Sequence, residues 1–280
     1  MLWQRVLTSL TLFGLLLATL WLESEWPFGL LVLLLLALAA WEWSRLNGLA
    51  RTPAIASALG FGALMLAAWW LNGNPGGPGS LTRWFWPGVS LACLLLLPLL
   101  LQRGVSAWCT TPRALRLLLG WALLAQAWWA LLHAKTIGVA MLLSILLLVW
   151  AADIAAYFGG KRFGRRKLAP SISPGKTWEG VFSGALAVLL LAALWIAFWP
   201  EQWGRNLYAE IWAHGPLVAL ALLLLLLALS VMGDLFESLV KRSVGRKDSS
   251  RILPGHGGVL DRFDALLPVL PLALAVATWV

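Results

Sequence analysis

The chain has 280 residues, of which 61% are hydrophobic and only 12% charged, with a formal charge of +9. A soluble domain carries roughly 25% charged residues, so this composition excludes a soluble globular protein and specifies an integral membrane protein. The excess positive charge lies in short loops between apolar runs, which suits anionic lipid or nucleotide partners and argues against nucleic acid.

The first apolar run, residues 6–22, follows MLWQR, and its exit TLWLESEW lacks the small-residue cleavage pattern of a secretory signal, so it reads as a retained helix. Further runs at 26–41, 53–71, 84–101, 114–132, 136–158, 181–199, 216–235 and 263–280 bring the candidate spans to nine. The expected fold is all-α, a polytopic transmembrane helix bundle of about nine spans in one integral membrane domain, 1–280. Residues 1–135 are variable apolar spans without a motif, and 136–280 hold the motif-bearing spans and loops. Twenty tryptophans fit interfacial belts, with Trp69, Trp70, Trp84 and Trp86 near segment ends. Cys93 and Cys109 suggest neither a disulfide nor a metal site. NGNPGGPGS at 72–80 reads as a flexible outer turn, and His133 and His214, alone beside spans, read as surface or core histidines.

Nine spans with the N-terminus inside place 18 of the 21 Lys and Arg residues on the cytoplasmic side and leave Arg83, Lys135 and Arg205 outside. That bias follows the positive-inside rule, sets the N-terminus in the cytoplasm, and puts the loops 159–180 and 241–262 on the same face.

Those two loops carry the chemistry. An oily helix ends in Asp234, Glu237, Lys241 and Arg242, where desolvation makes each charge expensive unless it is paired or working. Asp234, Glu237 and Lys241 are spaced i, i+3 and i+7, so a continuing helix presents two carboxylates and an ammonium on one face that could hold a cation. After a basic turn come HGG at 256–258 and DRFD at 261–264, a second acidic pair at i, i+3. Simpler roles exist for each: Asp261 as an N-cap, Asp264 answering a helix dipole, the glycines permitting a turn, the basic residues anchoring topology. They do not account for two acidic clusters, a basic loop and a glycine turn within about thirty-five residues. Upstream, Asp153 lies in the sixth span with Tyr157 one turn later, as a functional carboxylate or as a member of a buried ion pair or interhelical hydrogen bond. SPGKTWEG at 173–180 offers hydroxyls, an ammonium and backbone N–H groups ahead of the seventh span, where phosphate would be welcome. It is no P-loop, because Pro170 stands where that motif needs glycine and no soluble β-strand precedes it.

Together these residues resemble the phosphatidate cytidylyltransferase family, also called CDP-diacylglycerol synthase. The pattern runs through Ser238, Lys241, Arg242, Lys247, Asp248, Pro254, His256, Gly257, Gly258, Asp261, Arg262 and Asp264. The upstream blocks match at Asp153, Tyr157, Phe158 and Gly160, then at Ser173, Pro174, Lys176, Thr177, Glu179 and Gly180. The resemblance implies transfer of cytidylyl from CTP to phosphatidic acid in phospholipid biosynthesis, giving CDP-diacylglycerol and pyrophosphate, with Mg²⁺ required and room for a second cation. It also implies a multi-pass protein of the cell inner membrane that takes lipid from the inner leaflet, uses a cytoplasm-facing site, and could act as a homodimer.

The residues suit that chemistry on their own terms. A lipid phosphate monoester has a second pKa near 6, by analogy with phosphorylated side chains, so the nucleophile is already largely anionic and needs no general base. What remains is to bring two polyanions together, which calls for a metal and for Lys or Arg. Mg²⁺ prefers a few carboxylates plus phosphate oxygens and water, so Asp234 and Asp261 could share it, with Asp264 and Glu237 as further candidates. Lys176, Lys241, Arg242, Lys247 and Arg262 are assigned to phosphate, with Lys176 and Lys247 placed beside Asp234 and Asp261 as catalytic. Ser173, Thr177, His256 and Asp153 complete the substrate-binding set. Two other classes fit less of the pattern: a membrane transferase acting on another lipid, and an ion-coupled transporter of an anionic solute, which would need broken helices in two related halves.

The charge tally makes a direct prediction. In a background lacking Cys93 and Cys109, cysteines replacing Arg165 and Arg246 should react with an impermeant thiol reagent only after the inner membrane is opened. A cysteine at Gly204 should react in intact cells. Labelling of positions 165 and 246 from opposite sides would rule out a shared site.

Overall fold

The structure is a computed structural model that describes residues 2–72 and 80–278. Most of the expected outer turn, 73–79, and the last two residues of the ninth expected segment lie outside the described residues. Among the described residues nine apolar helices overlap the expected segments: α1 (Leu2–Trp21), α2 (Glu25–Leu46), α3 (Arg51–Asn72), α4 (Ser80–Thr110), α5 (Arg113–Ile137), α6 (Val139–Phe163), α7 (Trp178–Phe198), α9 (Pro216–Ser243) and α11 (Leu266–Thr278). Among the described residues seven are long and apolar enough to cross a membrane, while α1 contributes the shorter apolar stretch Leu10–Trp21. Two short helices, α8 (Leu207–Ala213) and α10 (Leu260–Phe263), join them.

The ninth expected segment is the centre of the molecule. Every side chain from Leu266 to Ala277 on α11 is buried, which is why this helix is apolar all round and tolerates Pro271 within it. At 13 residues it is roughly 20 Å long, short of the ~30 Å hydrocarbon thickness. α4, α5 and α9 pack around it, and Gln126 on α5 donates to the Leu267 carbonyl at 2.6 Å. α3 and α7 lie outside: Leu59, Leu64 and Leu71 of α3 and Phe182, Leu186 and Phe198 of α7 are turned outward as a lipid solvent requires, while Phe61 of α3 is buried.

Tryptophan does more than the belt reading expects. Trp70 and Trp84 are exposed, but Trp69 and Trp86 are core residues, as are Trp43 and Trp128. Without a strong hydrophobic drive between helices in lipid, a large ring with one N–H makes useful glue. Trp43 donates to the Arg116 carbonyl at 2.8 Å, Trp128 to that of Gly29 at 3.1 Å, and Trp86 to Nδ1 of His133 at 2.9 Å. His133 is thus a satisfied core histidine. Lys135, at the end of α5, donates to the carbonyls of Thr19 and Ser24, both at 3.1 Å, and so closes the loop between α1 and α2.

α6 and α7 pack closely along a face of small residues. Ala152, Ala156, Gly159 and Gly160 on α6 meet Gly180, Ser183 and Gly184 on α7, the small-residue spacing that lets backbones approach in lipid. A Cβ at Gly159 would stand 1.9 Å from Ser183 Oγ and 2.3 Å from Ser183 Cβ. Between these helices lies a hairpin the sequence reading did not anticipate. β1 (Lys167–Ala169) pairs antiparallel with β2 (Ser173–Thr177), in the register Lys167 with Thr177 and Ala169 with Ser173. β2 therefore carries most of SPGKTWEG, and the helix begins only at Trp178, with Thr177 as its N-cap accepting from the Gly180 N–H at 3.2 Å. Glu179 accepts the N–H groups of Arg165 at 3.0 Å and Arg166 at 3.2 Å and fixes the turn into the hairpin.

Gly159→Ala should lower the thermal stability of the detergent-solubilised protein by about 1–3 kcal/mol, the cost of overpacking a tight contact. Gly62→Ala, on α3 with nothing within 4 Å of the added carbon, should not lower it. Equal midpoints for both variants would rule out close α6–α7 packing.

Candidate active site

The two motif loops meet in one cavity of about 580 Å³, walled by α6, β2, the start of α7, the end of α9, and the loop after α9. Each wall contributes for a local reason. α6 supplies Asp153 and Tyr157 one turn apart. β2 supplies Ser173, Lys176 and Thr177, held over the cavity because its hairpin turn is tied down by Arg242, whose Nε donates to the Ile172 carbonyl at 3.2 Å. α9 supplies Asp234 and Lys241, since the helix continues past the apolar run to Ser243. The loop supplies Asp248, and α10 with its C-cap supplies Asp261, Arg262 and Asp264. Asp264 can approach because residue 233 is glycine: a Cβ there would meet the Asp264 carbonyl at 2.4 Å.

Charges are paired across segments as well as along a helix. Lys176 on β2 reaches Asp234 on α9 at 2.6 Å, and both keep about a quarter to a third of their surface open to the cavity. Lys241 sits between Glu237, one turn back at 2.5 Å, and Asp261 at 2.6 Å, and is largely buried. Asp261 also accepts the Gly258 N–H at 2.8 Å and both the N–H and the hydroxyl of Ser249, at 3.1 and 2.9 Å. Burial works against its charge, but the Lys241 ammonium and these donors hold the Asp261 carboxyl below its ordinary value. The N-cap reading of Asp261 does not survive. Val259 occupies that position without a side-chain cap bond, and Asp261 lies in the first turn with its carboxylate directed back to the loop. Gly257 is needed for its backbone, at φ +83.

Of the sequence-derived set, Asp153, Ser173, Lys176, Thr177, Asp234, Lys241, Asp261, Arg262 and Asp264 line this cavity. Glu237 lies beneath it, bonded to Lys241. Arg242 turns to the carbonyls of Ile172 and Arg246. Lys247 is exposed and stands outside the lining residues. His256 faces a second cavity of about 760 Å³, lined by leucines of α1, α2 and α6, that shares Asp153, Asp261, Arg262 and Asp264 with the first. Two charged lining residues had been given no role: Asp248, seen only as part of a pattern, and Lys161, counted only as a topology charge. Glu42 on α2 was also passed over. It is fully buried and receives four donors from the loop after α9. A lone carboxylate at the end of an apolar run was the available signal.

The arrangement suits phosphate and a hard cation. Among the described residues no three acidic, imidazole or thiol side chains form a closed metal cage, and Asp234 and Asp261 are each engaged by a lysine. Mg²⁺ tolerates this, because it is commonly held by one or two carboxylates and completed by substrate phosphates and water. Glu237 Oε1, buried beneath the cavity and taking no donor among the described residues, is an acceptor left open to a cation or a proton. The donor set therefore fits a cation that arrives with a phosphate.

The profile of the cytidylyltransferase family matches residues 3–280. The chain belongs to the cytidylyltransferase family. Within the family, a phosphatidate cytidylyltransferase of Pseudomonas aeruginosa is 39% identical over 279 residues, covering 99% of this chain and 97% of that protein. One of Haemophilus influenzae is 34% identical over 292 residues, covering 97% and 96%. A third, of Staphylococcus epidermidis, is 43% identical over 143 residues, half of each chain. For this cytidylyltransferase-family protein the geometry ranks the lysines. Lys176→Ala removes the cation facing Asp234 and should cut kcat/KM at least about tenfold, as expected for charge-assisted bonds worth roughly 1.5–3 kcal/mol. Lys247→Ala should cost less. The reverse order at equal folded amounts would mean that the exposed loop, not β2, meets the phosphates.

Proposed function

We propose that the protein is a phosphatidate cytidylyltransferase. A phosphate oxygen of phosphatidic acid attacks the α-phosphorus of CTP, the bond from that phosphorus to the bridging oxygen breaks, and CDP-diacylglycerol and pyrophosphate result. The observation that carries this reading is a pair of adjacent cavities with a shared charged wall. One is polar and lined by lysines and aspartates, the other apolar and larger, and they share four charged residues. A reaction between a water-soluble triphosphate and a lipid phosphate needs such adjacent spaces. CTP occupies the polar cavity and the acyl chains lie in the apolar one, between α1, α2 and α6.

Repulsion between two polyanions is the barrier, and Lys176, Lys241 and Arg262 offset it from three directions. Ser173 and Thr177 offer hydroxyls to phosphate from β2, and Asp153 faces both cavities at the junction. Asp234 and Asp261 would hold Mg²⁺ together with phosphate oxygens, with Asp264 and Glu237 behind them; the ion would neutralise the developing pyrophosphate. The charge tally supports an inner-membrane protein with a cytoplasmic N-terminus and nine spans, its site facing the cytoplasm and its lipid drawn from the inner leaflet. Selection of cytosine rests on the family relationship.

Purified protein given α-labelled CTP and phosphatidic acid should place label in a lipid-soluble product in a Mg²⁺-dependent manner. Label that stays in water, or that is taken up into vesicles without a product, would overturn the reading. Leu16→Trp, which fills the apolar cavity from α1, should raise KM for phosphatidic acid several-fold while leaving KM for CTP unchanged.

A further inference from the structure

The loop that carries Asp261 is gripped from below by a residue of the first half of the chain. Glu42 on α2 is fully buried, and among the described residues no Lys or Arg forms an ion pair with it. A buried carboxylate needs compensation, and here four hydrogen-bond donors supply it. The N–H groups of Val259 and Leu260 reach Oε1 and Oε2 at 3.0 and 2.7 Å. The hydroxyls of Ser250 and Ser249 reach the same two oxygens at 2.5 and 3.1 Å.

Two features separate this from ordinary anchoring. The Ser249 hydroxyl lies between two carboxylates, 3.1 Å from Glu42 and 2.9 Å from Asp261, and its single proton can serve one of them at a time. The position of Asp261 is therefore set jointly with that of Glu42. The second glycine of HGG closes the arrangement: a Cβ on Gly258 would stand 1.9 Å from Ser249 Oγ and 2.5 Å from Glu42 Oε1. The glycine is thus required by the space that Glu42 and Ser249 fill.

We propose that Glu42 is a positioning residue for the reaction: clasping residues 249–260, it aims Asp261 and Arg262 into the cavity. The functional half of this idea rests on the reading of Asp261 as a cation-binding carboxylate. Glu42→Gln sets an amide donor against a ring of donors and loosens the clasp without removing bulk. Hydrogen exchange in the protein alone, without Mg²⁺ or substrate, should speed up about tenfold or more across 249–262 and stay unchanged on α7, in line with leaving a buried donor unsatisfied. In turnover, kcat should fall by about the same factor and half-saturating Mg²⁺ should rise. Glu42→Asp, which keeps the carboxylate, should recover part of both. Ser44→Ala is the control: this neighbouring side chain is equally buried and bonded to Ser57 Oγ at 2.9 Å, so its loss should cost stability and leave kcat and Mg²⁺ dependence per folded molecule intact.

A Glu42→Gln protein with native exchange, kcat and Mg²⁺ dependence overturns the proposal, as does one whose activity falls only with the folded amount. If that variant does not fold, Ser250→Ala removes one donor and leaves the carboxylate in place; unchanged exchange and kcat there are equally fatal. Asp261→Asn separates the two ideas. Full activity in it sinks the cation assignment and the functional half together. An inactive Asp261→Asn beside a fully active Glu42→Gln overturns the positioning role alone.

Discussion

A single ammonium ties the molecule together. Lys241 lies at the end of α9 between Glu237 of its own helix and Asp261 of the following loop, and all three side chains are at least nine-tenths hidden from solvent. Burying one such charge is costly, and burying three is tolerable only when the geometry pairs them and other donors satisfy the remaining oxygens. That requirement fixes the return of the chain after α9. The loop must bring Asp261 to Lys241, the Gly258 and Ser249 donors must meet the second Asp261 oxygen, and α10 must then run into the buried α11. The constraint that shapes the turn is thus electrostatic, with apolar packing completing it.

The cavity forms where this pinned turn faces the hairpin of β1 and β2. Lys176 crosses from β2 to Asp234 and so joins the two motif-bearing segments. Both ion pairs place a lysine where a phosphate oxygen or a cation would compete for the same partner. Because both lysines already have carboxylate partners, such a site can exchange internal partners for substrate ones. The apolar cavity next to it lies between α1, α2 and α6, so the same four charged residues border an apolar space and a more polar one.

The first half of the chain carries no recognisable motif, yet it is not packing alone. Trp43 and Trp128 supply hydrogen bonds between helices, Lys135 closes the loop after α1, and Glu42 reaches the turn that carries Asp261. These residues are scattered singly through apolar runs. Each is intelligible only once its partner, tens or hundreds of positions away, is known.

The sequence by itself determined the class, the approximate spans and the two loops that matter, because hydropathy and the placement of charge are local properties that a membrane enforces segment by segment. It also singled out Asp234, Lys176, Lys241, Asp261 and their neighbours as candidates for one site, since costly charges at an apolar boundary need a reason, and these four line one cavity. It left the pairings undecided. Helical spacing put Asp234, Glu237 and Lys241 on one face, and the fold then gave Asp234 to Lys176 and Lys241 to Asp261 as well. It read SPGKTWEG as the approach to a helix where most of it is a strand, and it sent Trp69 and Trp86 to the interface when they are core. Arg242 and Lys247 look alike as basic loop residues, but one holds backbone carbonyls and the other is exposed. Only the tertiary structure could decide these matters, because a charge or an indole N–H in a low-dielectric interior takes whichever partner the packing brings near, and that partner lies far away in the chain.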